Sequence, residues 1–422
     1  MEAAAYRKVT SRLLPFLMLC YVVAYLDRVN VGFARLQMLS DLGFSETVYG
    51  LGAGMFFIGY FTFEVPSNII LHRVGARTWI ARIMITWGMV SAMFMFIRTP
   101  LSFYALRFVL GVAEAGFFPG IILYLTYWFP SERRGRMISM FMMAIPLSGI
   151  FGGPLSGWIM ATFGGVAGLA GWQWLFLLEA APALVVGVIV LLYLDNGIRS
   201  AKWLEEDEKA LLERKLAEDS AHIEPHPSLG AVLSDPRIAL MCGIYFCIVM
   251  GQYGLTFWMP TLIQSAGVSG TLKIGLLTAV PYTAGALAMP FFGRSADHRR
   301  ERRWHASAAM LIGAAGLTLS AIAGTHTALA ILFLTIAATG VFSSGPLFWS
   351  LPTAFLGGAA AAAGIAVINS IGNLAGFVSP YVVGWLKDLT HSMQAGMFLV
   401  SGVLVAGAVI IVVFVPARLV NR

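Results

Sequence analysis

The chain has 422 residues, of which 58% are hydrophobic and only 12% charged, with a mean hydropathy of +0.79 and a formal net charge of +7. Soluble domains carry about 45–50% apolar and about 25% charged residues, so a water-soluble fold is excluded. The basic residues form short clusters between apolar runs, which is the pattern of cytoplasmic membrane loops and not of a nucleic-acid-binding face.

A membrane-crossing helix needs about 20 mostly apolar residues. Twelve such spans are expected, at 13–35, 48–71, 78–97, 101–129, 137–162, 172–194, 238–264, 273–293, 304–324, 328–351, 360–386 and 394–416. The chain therefore reads as an all-α membrane protein. The first span holds "YVVAYLDRVNVGFA", with Asp27 and Arg28 side by side in an apolar run. The second holds Tyr60, and Glu64 in "FEVPSN". The fourth holds Arg107 and Glu114. The fifth carries Gly149, Gly153 and Gly157, a spacing that lets helices approach closely. The sixth holds Glu179 in "WLFLLEAAPA". The polar stretch 196–236 follows, read as a charged amphipathic helix and a solvated tether. It divides the chain into 1–195, 196–236 and 237–422. The seventh span carries Tyr253, Phe257 and Trp258, and the eleventh carries Asn369 and Asn373 in "INSIGN".

Cys20, Cys242 and Cys247 show no disulfide or metal spacing and read as buried thiols. No metalloprotease, nucleophile-elbow or phosphate-loop motif occurs, so neither an enzyme nor a self-contained ATP-driven pump is expected, and no cofactor. No cleavable leader is expected either. Placing the N-terminus inside puts 22 of the 28 Lys and Arg in inner segments. Arg35, Arg98, Lys273 and Lys387 lie outside, and Arg28 and Arg107 within spans. The positive-inside rule then places both termini in the cytoplasm.

The loops "NIILHRVGARTW" and "FFGRSADHRRERRW" occupy the same place in each half. They resemble the loop signature of the major facilitator superfamily, Gly-x-x-x-Asp-Arg-x-Gly-Arg-Arg. The second keeps Gly293 and Asp297. The first has His72 at the Asp position, followed by Arg73, Gly75 and Arg77. "RFVLGVAEAGFFPG" resembles the superfamily's Arg-x-x-x-Gly motif at Arg107 and Gly111. Within it, "YLDRVNVGFA", "WFPSERRGR" and "INSIGNLAGFVSP" are similar to the anion:cation symporter family, and the likeness spans essentially the whole chain.

The resemblance implies two six-helix bundles related by a pseudo-two-fold axis in the bacterial inner membrane. It implies proton-coupled import of an organic carboxylate by a monomer, through alternating access. Bacterial members carry tartrate, hexuronates, aldonates, phthalate or hydroxyphenylacetate. Exchange or export is the alternative, since "GIFGGPLSG" resembles an antiporter signature. The likeness makes Asp27 and Glu114 proton sites, makes Arg107 a substrate contact, and favours Asn373 over Asn369 as a ligand. Arg73 and Asp297 take gating or structural roles.

Charges inside a span are costly and mark function. Counted at about 1.5 Å per residue, Asp27, Arg28 and Arg107 fall at similar depth; the resemblance implies that spans one and four both line a central cavity, so the three are expected to converge there as a net-positive cluster suited to an anion. Glu114 falls about 10 Å deeper than Arg107 on the same face. Carboxylates held out of water favour the protonated form, so two at different depths make a proton route. Asp27 is assigned to the proton and Arg28 to the anion. Salt bridges between helices remain the alternative for Asp27, Arg28 and Arg107. Glu64 is expected to pair with a loop arginine, Arg134 or Arg136. Glu179 is expected to be a gating or structural carboxylate. Tyr60 and Tyr253 are further substrate-binding candidates.

Overall fold

The computed structural model describes residues 2–220, 235–352 and 358–420. In lipid every backbone polar group must bond within its own segment, and the apolar runs accordingly form twelve helices. They are Glu2–Leu42, Glu46–Val74, Ala76–Phe96, Pro100–Thr126, Glu132–Phe163 and Gly171–Tyr193, then Pro236–Ser265, Thr271–Arg299, Arg302–Ala323, Thr327–Trp349, Gly364–Thr390 and Met393–Phe414. They are called spans one to twelve. Several begin before the apolar run does. Span one starts at Glu2 rather than 13, because its polar first turns bury Ala5, Tyr6 and Val9 against the bundle.

Four spans are broken near their middles. Span one turns at Asn30, span four at Ala115–Gly116, span five at Met143 and span eleven at Leu374. The break in span four follows from Gly116, whose φ of +83° is left-handed and strains any side-chain-bearing residue. It leaves Glu114 as the last residue of the helix Pro100–Glu114. Spans two and four touch so closely that a Cβ on Gly111 would stand 2.0 Å from the Phe56 carbonyl oxygen. This approach presses Arg107, one turn earlier, onto span two.

The halves meet mainly through segments far from the basic loops. Val31–Leu42 packs on span seven, span two on Ala375–Thr390, and Ala144–Phe163 on span eight. The glycines of span five serve the last contact: a Cβ on Gly275 would lie 2.2 Å from the Gly153 carbonyl oxygen. Polar pairs seal the same end. Arg35 pairs with Glu46 and donates to Thr261 Oγ1 at 2.6 Å; Lys387 Nζ reaches Glu46 Oε1 at 2.7 Å. Asp388 accepts from the Glu46 and Thr47 amides at 3.1 and 2.7 Å. At the basic-loop end, Phe117–Thr126 and Ser131–Met142 pack chiefly on their own half.

The start of the 196–236 stretch differs from a free tether. Trp203 stacks on Trp128 with ring centroids 5.7 Å apart. The helix Glu206–Ser220 buries Leu212, and Glu208 accepts from Lys8 at 2.8 Å. Apolar residues in a charged helix need a surface to cover, and here it is the inner face of the first half. Residues 221–234 lie outside the described residues.

Candidate functional site

The breaks gather charged side chains around span one. Arg28 is 6% exposed and Glu114 fully buried. The Arg28 guanidinium grips Glu114 Oε1 through Nη2 and through Nε at 3.1 Å. Its Nη1 donates to Tyr253 Oη of span seven, in the other half, at 3.4 Å. Aromatic rings enclose it, with Tyr25, Phe56 and Tyr60 centroids 5.6, 5.2 and 5.5 Å from its central carbon. Ring faces attract a desolvated cation, so the cage holds Arg28 while leaving its bonding to one carboxylate and one phenol.

Arg107 shares one ring of that cage. Its central carbon also stands 5.2 Å from the Phe56 centroid. Nη2 donates to the Ala53 carbonyl at 3.1 Å and Nε to Gly52 at 3.4 Å, while Nη1 has no hydrogen-bond partner. Glu114 Oε2 is also without one. Arg107 and the carboxylate paired with Arg28 thus each keep one unpartnered polar atom.

Arg28 and Arg107 do come together, each with its central carbon 5.2 Å from the Phe56 ring, and Glu114 is paired to Arg28. The expected cluster is corrected on one point. Asp27 is not in the cluster. Its oxygens accept from Trp87 Nε1 at 2.9 Å and Ser91 Oγ at 3.0 Å, both on span three. Adjacent helical residues diverge by about 100°, which sends Asp27 into the first half and Arg28 to the seam.

Glu64 is also corrected. Arg134 pairs with Asp219 at 3.6 Å and donates to the Phe129 carbonyl. Glu64 instead turns inward, 7% exposed, and accepts from Ser370 of span eleven at 3.4 Å. It lies one turn beyond Tyr60 on one helical face, and that face meets the other half. Glu179 is buried and accepts from Ser156 at 2.6 Å. Asn369 and Asn373 are half-buried on span eleven beside Ser370, and neither bonds to a described residue. Arg73 and Asp297 are exposed, and both lie in helix, in the last turns of spans two and eight, rather than in loops.

Sequence reasoning missed Trp87, Ser91 and Phe56 as holders of these charges. A tryptophan, a serine and a phenylalanine in apolar spans carry no signal. It also missed the Arg35–Glu46–Lys387 seal, whose members lie 352 residues apart at the extreme.

Twelve spans in two halves, sealed together at one end, with an ion pair and open polar valences at the seam, define a membrane transporter of the two-bundle kind. The profile of the Major Facilitator Superfamily matches residues 17–380, and the chain belongs to that superfamily. It is 51% identical over 414 residues to a protein of Agrobacterium vitis named "Putative tartrate transporter", covering 98% of this chain and 95% of that one. It is 41% identical to the "Quinolone resistance transporter" of Acinetobacter baumannii, covering 97% and 94%. Its fold matches the xylose transporter XylE of Escherichia coli in a partially occluded inward open conformation, with a TM-score of 0.74 at 16% identity over 96% and 97% of the two chains. The protein is a multi-pass transporter of the bacterial inner membrane that moves an organic substrate, and not an enzyme.

Proposed function

We propose that this transporter imports an organic carboxylate together with protons. The observation carrying the reading is the Arg28–Glu114 pair, a buried cation whose counter-ion is a side chain at the seam of the halves. An arriving carboxylate offers Arg28 the same planar acceptor and competes with Glu114. Arg107 Nη1 supplies a second donor. Glu114, displaced in a dry site, takes up a proton, and the loaded cluster is then neutral enough for the halves to rock. Tyr60, Tyr253 and Asn373 would contact the remainder of the substrate. The basic loops face the cytoplasm in this reading, so the sealed end faces outward. Arg73 and Asp297, at the ends of spans two and eight, would help to close that end when the site turns outward.

Exchange or export is the second reading, favoured by the name of the Acinetobacter relative. The glycine signature does not favour it, since Gly153 and Gly157 are needed where span five packs on span eight. The test is uptake of labelled tartrate into vesicles holding the purified protein. Uptake should follow an imposed pH gradient, collapse with a protonophore, and be lost in Glu114→Gln. Full gradient-driven uptake by Glu114→Gln rejects the assignment, and counterflow indifferent to the gradient favours exchange.

A further inference from the structure

Glu64 of span two is a buried carboxylate with no cation to hold it. It is 7% exposed. The arginines nearby are spoken for: Arg28 turns to Glu114, Arg107 to the Gly52 and Ala53 carbonyls, and Arg134 to Asp219. Among the described residues, the only bond to the Glu64 side chain comes from Ser370 Oγ of the other half, at 3.4 Å. That is longer than a good O–H···O bond. A carboxylate can only accept, and its two oxygens offer about four lone-pair sites. A charged group in a span is costly, and one long bond from a serine offsets little of that cost. What Glu64 lacks is donors.

Its place is fixed from both sides of the seam. Glu64 lies one turn after Tyr60 on the same face of span two, about 6 Å along the axis. Tyr60 in turn stands against Arg28, its ring centroid 5.5 Å from the guanidinium carbon. Across the seam, Gly372 of span eleven is pressed on Tyr245 of span seven, where a Cβ would stand 2.1 Å from the ring. Residues two apart on a helix diverge by about 200°, so Ser370 is turned away from span seven and toward span two. Asn373, three residues further on, falls on the same side as Ser370 and is half-buried. The row thus runs from a cation, Arg28, past the Tyr60 hydroxyl to an anion, Glu64, with Ser370 and Asn373 opposite.

A small organic acid laid along this row meets different demands at its two ends. Its carboxylate suits Arg28 and is repelled by Glu64. Beside Glu64 the fitting group is a hydroxyl, whose O–H donates to the carboxylate in a charge-assisted bond stronger than a neutral one. A bare methylene there would displace the serine and return no donor. A site built to bond a hydroxyl rejects the analogue that lacks it, because its own polar group is then left unpaired.

We propose that Glu64 accepts a hydrogen bond from a hydroxyl group of the substrate, in place of Ser370 Oγ, and so makes the carrier select hydroxy acids over plain carboxylic acids. The inference rests on the carboxylate reading above and names the class of acid.

Calorimetric titration of the purified full chain in nanodiscs with tartrate, malate and succinate tests it. The three acids share both carboxylates and a four-carbon chain, so differences in affinity read the hydroxyls. Wild type should bind tartrate about tenfold or more tighter than succinate, with malate between, in line with one charge-assisted bond. Glu64→Gln keeps the shape but offers only a neutral oxygen, and the ratio should shrink to about threefold or less. A Glu64→Gln ratio equal to that of the wild type overturns the proposal, as does a wild type that binds all three alike. Should Glu64→Gln fail to fold, Ser370→Ala decides: it frees the carboxylate for the substrate, and the ratio should rise about twofold or more. An unmoved ratio there, or an equal loss for all three acids, rejects the proposal. Binding that is lost in Arg28→Ala yet shows no preference for hydroxyls sinks the role of Glu64 alone, whereas a wild type that binds none of the acids sinks the carboxylate reading itself.

Discussion

Arg28 can be satisfied in more than one way, and that is what makes it useful. Its pair with Glu114 is fully desolvated, where removing one partner costs about 3–5 kcal/mol by leaving the other charge unpaired. Arg28→Ala should therefore lower the thermal midpoint of the purified protein more than Glu114→Gln, which leaves a hydrogen-bonding amide against the guanidinium. Arg107→Lys should keep the fold but forfeit the planar fork that reaches Gly52, Ala53 and an open donor. Charge-assisted hydrogen bonds contribute about 1.5–3 kcal/mol, so carboxylate binding measured by thermal shift should weaken about tenfold or more. Both arginines were legible in the sequence as candidates for the site, because a charge in a span is costly and marks function. Their partners were not legible, because Phe56, Trp87 and Ser91 look like any other span residues until a neighbour is known.

Helix segments act as units on either side of the breaks. Away from the basic loops, spans one, two and eleven are tied by Arg35, Glu46, Lys387 and Asp388: Arg35 pairs with Glu46 within the first half, and Lys387 and Asp388 tie Glu46 and Thr47 to the other half. Glu46→Gln removes the acceptor common to Arg35 and Lys387. Amide exchange at the start of span two should then rise about tenfold or more, in line with about 1–3 kcal/mol for a lost partner in a partly buried network. Unchanged exchange there would show that packing alone closes that end. The helix Glu206–Ser220 is held more lightly. The Lys8 ammonium holds the Glu208 carboxyl below the usual carboxylate range. A lowered folded value means that the tie is complete above the ordinary carboxylate range near pH 4 and is lost as pH falls through the folded value. Lys8→Met should remove that acid-sensitive step from hydrogen exchange of the helix while leaving the spans protected.

Over the whole molecule, the first six spans and the last six press together mainly through close-packed segments far from the basic loops. The contact of span five with span eight admits no side chain at Gly275. Gly275→Leu should cost about 1–3 kcal/mol by overpacking, read as a fall in thermal midpoint, and should hold the seam open so that tartrate counterflow falls with it.

Hydropathy alone determined the number of spans and their approximate limits, because lipid leaves the backbone no alternative to helices of that length. The intramembrane charges were equally plain, because each is expensive where it stands. Which charge meets which was decided only in three dimensions. Asp27 and Arg28 are neighbours in the chain, yet one faces span three and the other the seam. Glu64 looked like a loop partner and turned to the other half. Pairing depends on the rotation and offset of each helix, set by glycine contacts and mid-span breaks between distant segments, and a linear pattern carries the face of a helix but not the neighbour that the face will meet.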